Sequence, residues 1–212
     1  WINKMKYLKH EGISPYTNLF SGSFVSLIRC TSCDYKSESY ENLYSLEIQF
    51  PKKKKDEKDE CQSYTLLELL DHQSDNELIS DATCEKCKKL GVLQKRMAIT
   101  IVPKILVVQL SRFVVSETKR KISKIQTHVS LPLHLNIAKS DYLVFDKNSN
   151  RSTKYELKSI VHHFGGRMGG HYVATCNVDG EWMVFDDNNV RKCISTFCPD
   201  HASSSPYLAF YE

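Results

Sequence analysis

Two Cys-x-x-Cys pairs, Cys30-Thr31-Ser32-Cys33 and Cys84-Glu85-Lys86-Cys87, constrain this chain more than any other feature. Each pair makes a tight turn that aims two sulfurs at one point. Together they supply four thiolates to a single tetrahedral Zn²⁺, with Zn–S bonds near ~2.3 Å. The knuckles lie far apart in the chain, so the fold itself must pair them. Four thiolates leave no open coordination position, so the expected site at Cys30, Cys33, Cys84 and Cys87 is structural and does no chemistry. A redox Cys-x-x-Cys is the rival reading, and two matched knuckles disfavour it. Eight cysteines in 212 residues fall below the ~8–10% of a disulfide scaffold. The first ten residues lack the apolar core of an export signal. A reducing setting, cytoplasmic and/or nuclear, is therefore expected.

Hydrophobic residues make up 41% of the chain and charged residues 25%, an ordinary globular balance that excludes a disordered, collagen-like or coiled-coil chain. The longest apolar stretches, such as residues 105–108, are far shorter than the ~20 residues that cross a bilayer, so no membrane partner is expected. Lys plus Arg exceeds Asp plus Glu by only 29 to 25. Nucleic-acid binders show a stronger and more clustered excess, so no nucleic-acid partner is expected either.

Hydrophobic periodicity places strands at residues 24–29, 40–50, 94–100, 105–113, 155–163, 171–177 and 181–185. Residues 105–113 are apolar over most of their length, as in a central strand. Thr65 and Glu68 form a capping box ahead of Leu66, Leu67, Leu69 and Leu70, which predicts a short buried helix over 65–72. Ser21-Gly22-Ser23, residues 165–170 and Asp179-Gly180 read as turns, the last as a hairpin. The charged run 52–60, the basic run 119–124 and the polar stretch 139–154 read as loops. The sum is an α+β domain dominated by an antiparallel sheet.

The glycine-rich segment Gly165-Gly166-Arg167-Met168-Gly169-Gly170 delivers His171 at the start of a strand. A histidine there is well placed as a general base, although a lone histidine is more often structural, and His162 or His163 equally fits packing. Trp182-Met183-Val184-Phe185-Asp186-Asp187-Asn188 follows on the hairpin partner. A hairpin sets the start of one strand beside the end of the next, so Asp186 can reach His171 and orient its imidazole, within about 2.6–3.2 Å. The rival reading of Asp186-Asp187 is a turn with capped amides. None of the remaining cysteines suits a nucleophile. Cys61 follows a charged loop, Cys176 sits inside a strand, and Cys193 and Cys198 come late, near Pro199. None has the helix N-terminus that lowers a thiol pKa.

The ordered set of motifs resembles the ubiquitin-specific protease family of cysteine deubiquitinases. It comprises Phe20-Ser21-Gly22-Ser23 through the first knuckle, the second knuckle, Pro103-Lys104-Ile105-Leu106, Leu110-Ser111-Arg112-Phe113, Leu131-Pro132, Gly169-Gly170-His171-Tyr172, the Trp182 to Asp187 stretch and Pro206-Tyr207-Leu208-Ala209-Phe210-Tyr211. The resemblance implies a papain-like hand over residues 1–212, with zinc-ribbon fingers from about 24–50 and 78–100 and a palm from about 101–212. It implies His171 as general base, Asp186 as its orienter and Asp187 as an auxiliary polar group. Gly165, Gly166, Gly169, Gly170 and Tyr172 would guide the ubiquitin tail. Zn²⁺ would be structural, and the partners would be ubiquitin and ubiquitinated proteins. The family's cysteine box, Asn-x-Gly-x-Thr-Cys before a helix, has no counterpart in these residues, so the nucleophile and much of the thumb are expected to be missing and the chain alone inactive. The alternatives are a ubiquitin-binding pseudoenzyme and, from another class, a zinc-ribbon interaction module. The module leaves the His171 and Asp186 motifs unexplained.

Overall fold

The computed structural model describes residues 14–51, 63–115, 122–140, 151–166, 168–193 and 197–212. A one-and-a-half-turn helix, α1 (Pro15–Phe20), comes first. Ser14 caps it by accepting the Thr17 amide, and Pro15 sits where its missing N–H costs nothing. Strand β1 (Gly22–Cys30) already contains Gly22 and Ser23, so the expected polar turn is strand. It forms an antiparallel hairpin with β2 (Lys36–Leu43).

The single strand expected over 40–50 is two strands in two sheets. β2 ends at Leu43, and after Tyr44-Ser45 the chain enters β3 (Leu46–Ile48), which belongs to the larger sheet. Local alternation carries no mark of this exchange of partners. The helix α2 (Leu66–Gln73) follows the short β4 (Ser63–Thr65). Its capping box is formed as expected: Glu68 N–H donates to Thr65 Oγ1, and Thr65 N–H donates to Glu68 Oε2 at 2.7 Å. Leu66, Leu69 and Leu70 are buried, each stabilising the fold by up to about 2 kcal/mol.

β5 (Glu77–Ile79) and β6 (Leu93–Ile101) complete a four-stranded antiparallel sheet in the order β2-β1-β6-β5. The chain then enters the larger sheet through β7 (Leu106–Leu110), to which β3 is parallel. β7 stops at Ser111-Arg112, and β8 (Phe113–Val115) pairs instead with β9 (Ile122–Lys124). The expected loop at 119–124 therefore ends in a strand, while residues 116–121 lie outside the described chain. The expected loop at 52–60 and residues 141–150 of the one expected at 139–154 also lie outside it, and the latter gives way to strand at Lys154. β10 (His128–Ser130) runs parallel to β4, and β11 (His134–Asn136) leads into a 3-10 turn, Ile137–Lys139.

The last five strands are β12 (Lys154–Gly166), β13 (Gly169–Val178), β14 (Glu181–Asp186), β15 (Asn189–Lys192) and β16 (Pro206–Tyr211). The larger sheet runs β15-β14-β13-β12-β16-β7-β3, with β11 pairing β12 off this path. The main core packs the β3, β7, β12 and β16 side chains against α2, with Leu46, Leu106, Leu157 and Tyr211 fully covered. A second, smaller cluster surrounds Cys30, Cys84 and Leu93 at one end of the four-stranded sheet.

Arg112 at the β7–β8 break is 0% exposed. Its Nε donates to Pro206 O at 2.6 Å and its Nη1 to Ile125 O and Thr127 O at 3.1 and 2.8 Å. Its guanidinium lies 5.1 Å from the Phe50 ring centroid. Burial lowers its pKa to about 10, so it stays charged at neutral pH and ties three separate segments together through a rigid fork of donors.

Candidate active site and metal centre

Asp179 and Gly180 carry φ values of 51° and 89°, the left-handed pair of a two-residue hairpin whose twist matches its strands. That turn sets the register Val178↔Glu181 through Ala174↔Phe185. His171 at the start of β13 thereby meets Asp186 at the end of β14. His171 Nε2 lies 2.5 Å from Asp186 Oδ1, just below the expected range of about 2.6–3.2 Å. Because the carboxylate accepts from Nε2–H, the Nδ1 lone pair is left open to act as a base. The hydrogen bond to Asp186 is the main cause that raises the His171 pKa. Desolvation opposes it, and the negative charges of Asp186 and Asp187 add to it.

Asp187 opens the β14–β15 turn with a left-handed φ of 50°. Its carboxylate, that of Asp186 and the His171 imidazole all lie within 4.8 Å of one another. The turn at this Asp pair forms, and Asp186, the last residue of β14, meets the histidine. Arg191 on β15, which no sequence motif marks, has its Nη1 3.8 Å from Asp186 Oδ2. It faces the second carboxylate oxygen as a loose ion pair, an arrangement visible only once β15 folds back onto β14 with Asp186 opposite Asn189.

The glycine-rich segment is a ladder rather than a loop. β12 and β13 stay paired through Phe164↔His171, Gly165↔Gly170 and Gly166↔Gly169. The four glycines divide by environment. Gly165 has a φ of +97°, which side chains with a Cβ rarely adopt. At Gly170 an added Cβ would lie 2.2 Å from His163 Nε2 and 2.6 Å from Phe164 O. Gly166 and Gly169 face open space. Tyr172 is 55% exposed and rests its ring 4.7 Å from that of His163. His162 and His163 are both buried. His162 bonds Ser205 Oγ and Thr175 Oγ1, and burial lowers its pKa to about 4.

The fold brings the two knuckles together. Cys30 Sγ is 3.8 Å from Cys87 Sγ, and Cys33 Sγ is 3.7 Å from Cys84 Sγ. A tetrahedron of ~2.3 Å metal–sulfur bonds has edges of about 3.8 Å. These four sulfurs can therefore hold one tetrahedral ion. Each knuckle is closed by backbone bonds, Cys30 N–H to Tyr35 O at 3.0 Å and Cys84 N–H to Lys89 O at 2.9 Å. Two of the thiols, Cys84 and Cys33, are shifted in opposite directions. Amides of Cys87 and Lys86 bring Cys84 down to about 7. Cys33, although pulled down by a Tyr35 backbone bond, is pushed up to about 12 by burial and its neighbouring thiols. Four sulfurs so close share negative charge readily only when a cation balances it.

Among the other cysteines, Cys176 lies within β13, and Cys193 and Cys198 follow β15. Cys61 lies outside the described residues. Cys176 is five strand positions from His171, or about 17 Å. No described cysteine is hydrogen-bonded to the His171 ring.

Residues 2–211 match the model of the ubiquitin carboxyl-terminal hydrolase family. The chain is 33% identical to ubiquitin carboxyl-terminal hydrolase Usp2 of Drosophila melanogaster, over 97% of this chain and 21% of that protein. It is 33% identical to ubiquitin carboxyl-terminal hydrolase 2 of Gallus gallus, over 98% and 55%. The chain thus spans about a fifth to about half of the length of these relatives. Among solved structures it resembles the yeast SAGA DUBm, with a TM-score of 0.77 and 26% identity over 99% of this chain and 44% of that one. It also resembles the SAGA Ubp8/Sgf11/Sus1/Sgf73 DUB module bound to ubiquitin aldehyde, with a TM-score of 0.74 and 25% identity over 99% and 46%. The chain belongs to the ubiquitin carboxyl-terminal hydrolase family, and its strand-rich α+β fold is that of the family's catalytic domain.

Proposed function

We propose that residues 1–212 form the base-bearing part of a thiol-dependent deubiquitinase, one that cleaves the bond between the ubiquitin C-terminus and its conjugate. The observation that carries this reading is the 2.5 Å contact between His171 Nε2 and Asp186, which leaves Nδ1 open. In the proposed reaction Nδ1 takes the proton of a cysteine thiol. The thiolate attacks the ubiquitin C-terminal carbonyl, and Nδ1–H then protonates the departing amine. Water, activated by the same nitrogen, releases ubiquitin from the thioester. Asp186 holds the ring in the required tautomer and Asp187 adds negative charge beside the imidazolium. No described cysteine is hydrogen-bonded to the His171 ring, and the family resemblance assigns the nucleophilic cysteine to a segment on the N-terminal side of these residues.

We further assign the ubiquitin tail to the surface bearing Gly165, Gly166, Gly169, Gly170 and Tyr172, and divide the chain into fingers near 24–50 and 78–100 and a palm from about 101. Cys30, Cys33, Cys84 and Cys87 would hold a structural Zn²⁺ that staples the fingers. Ubiquitin and ubiquitinated proteins are the proposed partners, in the cytoplasm or nucleus. Among the described residues no helix is long and apolar enough to cross a membrane.

A fluorogenic ubiquitin substrate tests the reading. The 212-residue chain alone is expected to bind ubiquitin without turnover. A protein extended by a cysteine-bearing N-terminal segment is expected to turn it over and to lose activity on His171→Ala. Undiminished turnover in that variant would refute the assignment. Inactivity of the extended protein with ubiquitin binding intact would point to a pseudoenzyme.

A further inference from the structure

Cys193 and Cys198 take no part in the proposed mechanism or the metal cluster. Cys193 directly follows β15, anchored by its N–H to Trp182 O at 2.8 Å. Cys198 precedes Pro199 on the way to β16. Both are free and half-buried, and their sulfurs are 2.9 Å apart. The metal-cluster pairs, by contrast, stand 3.7 and 3.8 Å apart. A disulfide needs ~2.05 Å, so closing this pair moves the sulfurs by about 0.9 Å.

The residue just before Cys198 connects the pair to the candidate active site. The Phe197 ring packs edge-on at 5.2 Å from the His162 ring and 5.8 Å from the Phe164 ring. Arg191 lies over the same ring, its Cζ 5.8 Å from the centroid. The same guanidinium stands 3.8 Å from Asp186 Oδ2. Closing Cys193 onto Cys198 would therefore fix the residue on which Arg191 rests.

We propose that Cys193 and Cys198 are an oxidisable dithiol, converted by a peroxide to a reversible disulfide that holds Phe197 beneath Arg191. One thiolate attacks a peroxide oxygen, becomes a sulfenic acid and expels hydroxide, which is released as water. The second thiol displaces the sulfenic hydroxyl as water and forms the S–S bond. The two sulfurs together lose two electrons and two protons, and hydrogen peroxide is reduced to two waters. A dithiol reductant reverses the step. The bond itself is independent of the protease reading, and only its bearing on His171 rests on that reading.

The test treats the full zinc-loaded chain with hydrogen peroxide, alkylates it and maps the peptides. The expected result is a species lighter by about 2 Da, with Cys193 and Cys198 linked to each other and released by dithiothreitol. It should be lost in both Cys193→Ser and Cys198→Ser. The His171 imidazole resonances are expected to differ between oxidised and reduced protein, and Arg191→Gln should abolish that difference while leaving the bond. Alkylation of both thiols after peroxide, or linkage of either to a different cysteine, overturns the proposal. A bond that leaves the His171 resonances unmoved overturns its reach to the site.

Discussion

Gly170→Ala should destabilise this protein, while Gly169→Ala, one residue away on the same hairpin, should not. At Gly170 the new methyl would sit 2.2 Å from His163 Nε2, 2.6 Å from Phe164 O and 3.0 Å from His163 Cε1. The imidazole is 4% exposed and packed against the Phe113, Tyr172 and Tyr207 rings, so it has little room to retreat. The Phe164 carbonyl belongs to the β12 ladder, directly opposite His171. Overpacking of this kind costs about 1–3 kcal/mol, and two obstructed directions place it near the top of that range. The alanine reduces the freedom of the unfolded chain, returning roughly 0.4–1 kcal/mol. The net loss is about 2 kcal/mol, or a melting temperature lower by about 4–8 °C for a chain of this size. Gly169 meets nothing within 4 Å, so only the unfolded-state gain applies there. Thermal melts of the two variants beside the parent chain are the assay. Equal melting temperatures would refute the steric account of the glycine hairpin.

Metal analysis of the purified chain should find about one zinc per molecule, reduced to near none by Cys84→Ser, with the small core around Leu93 losing protection from hydrogen exchange. By NMR, the His171 titration midpoint should fall toward its ordinary value in Asp186→Asn, because the hydrogen bond that raises it is removed. Since the folded value is raised, whatever stability this group adds is present below the unfolded pKa and lost as pH rises through the folded one. His162 works in the opposite direction. Its folded pKa is lowered to about 4, so below pH ~6.5 the unfolded chain takes up a proton that the folded chain refuses. Urea unfolding at pH 5 should show roughly 2 kcal/mol less stability from this group than at pH 7.5, and His162→Gln should flatten that dependence.

The parts legible in the sequence were those written in local chemistry. The two knuckles, the Thr65–Glu68 capping box and the Asp179-Gly180 turn each state a geometry within a few residues, and each forms in the structure. The contact between His171 and Asp186 followed from hairpin register alone. The illegible parts depend on partners remote in sequence. Nothing near Tyr44-Ser45 tells that the chain leaves one sheet for another, or that β3 will run parallel to β7. Nothing beside Arg112 in the sequence tells that it will be buried with the carbonyls of Ile125, Thr127 and Pro206 converging on it. Residues 165–170 read as a turn because glycine signals turns. Two of their glycines instead serve a tight ladder, one by a positive φ and one by the closeness of His163.

In the proposed reaction His171 activates a cysteine brought to it from outside these 212 residues. Labelling by a cysteine-reactive ubiquitin probe tests it most directly, applied to the protein extended on its N-terminal side, with the labelled residue identified by mass spectrometry. A single labelled cysteine in the added segment is expected, with labelling strongly reduced by His171→Ala and less so by Asp186→Asn. Labelling at Cys61, Cys176, Cys193 or Cys198, or labelling that persists at full rate in His171→Ala, would contradict it.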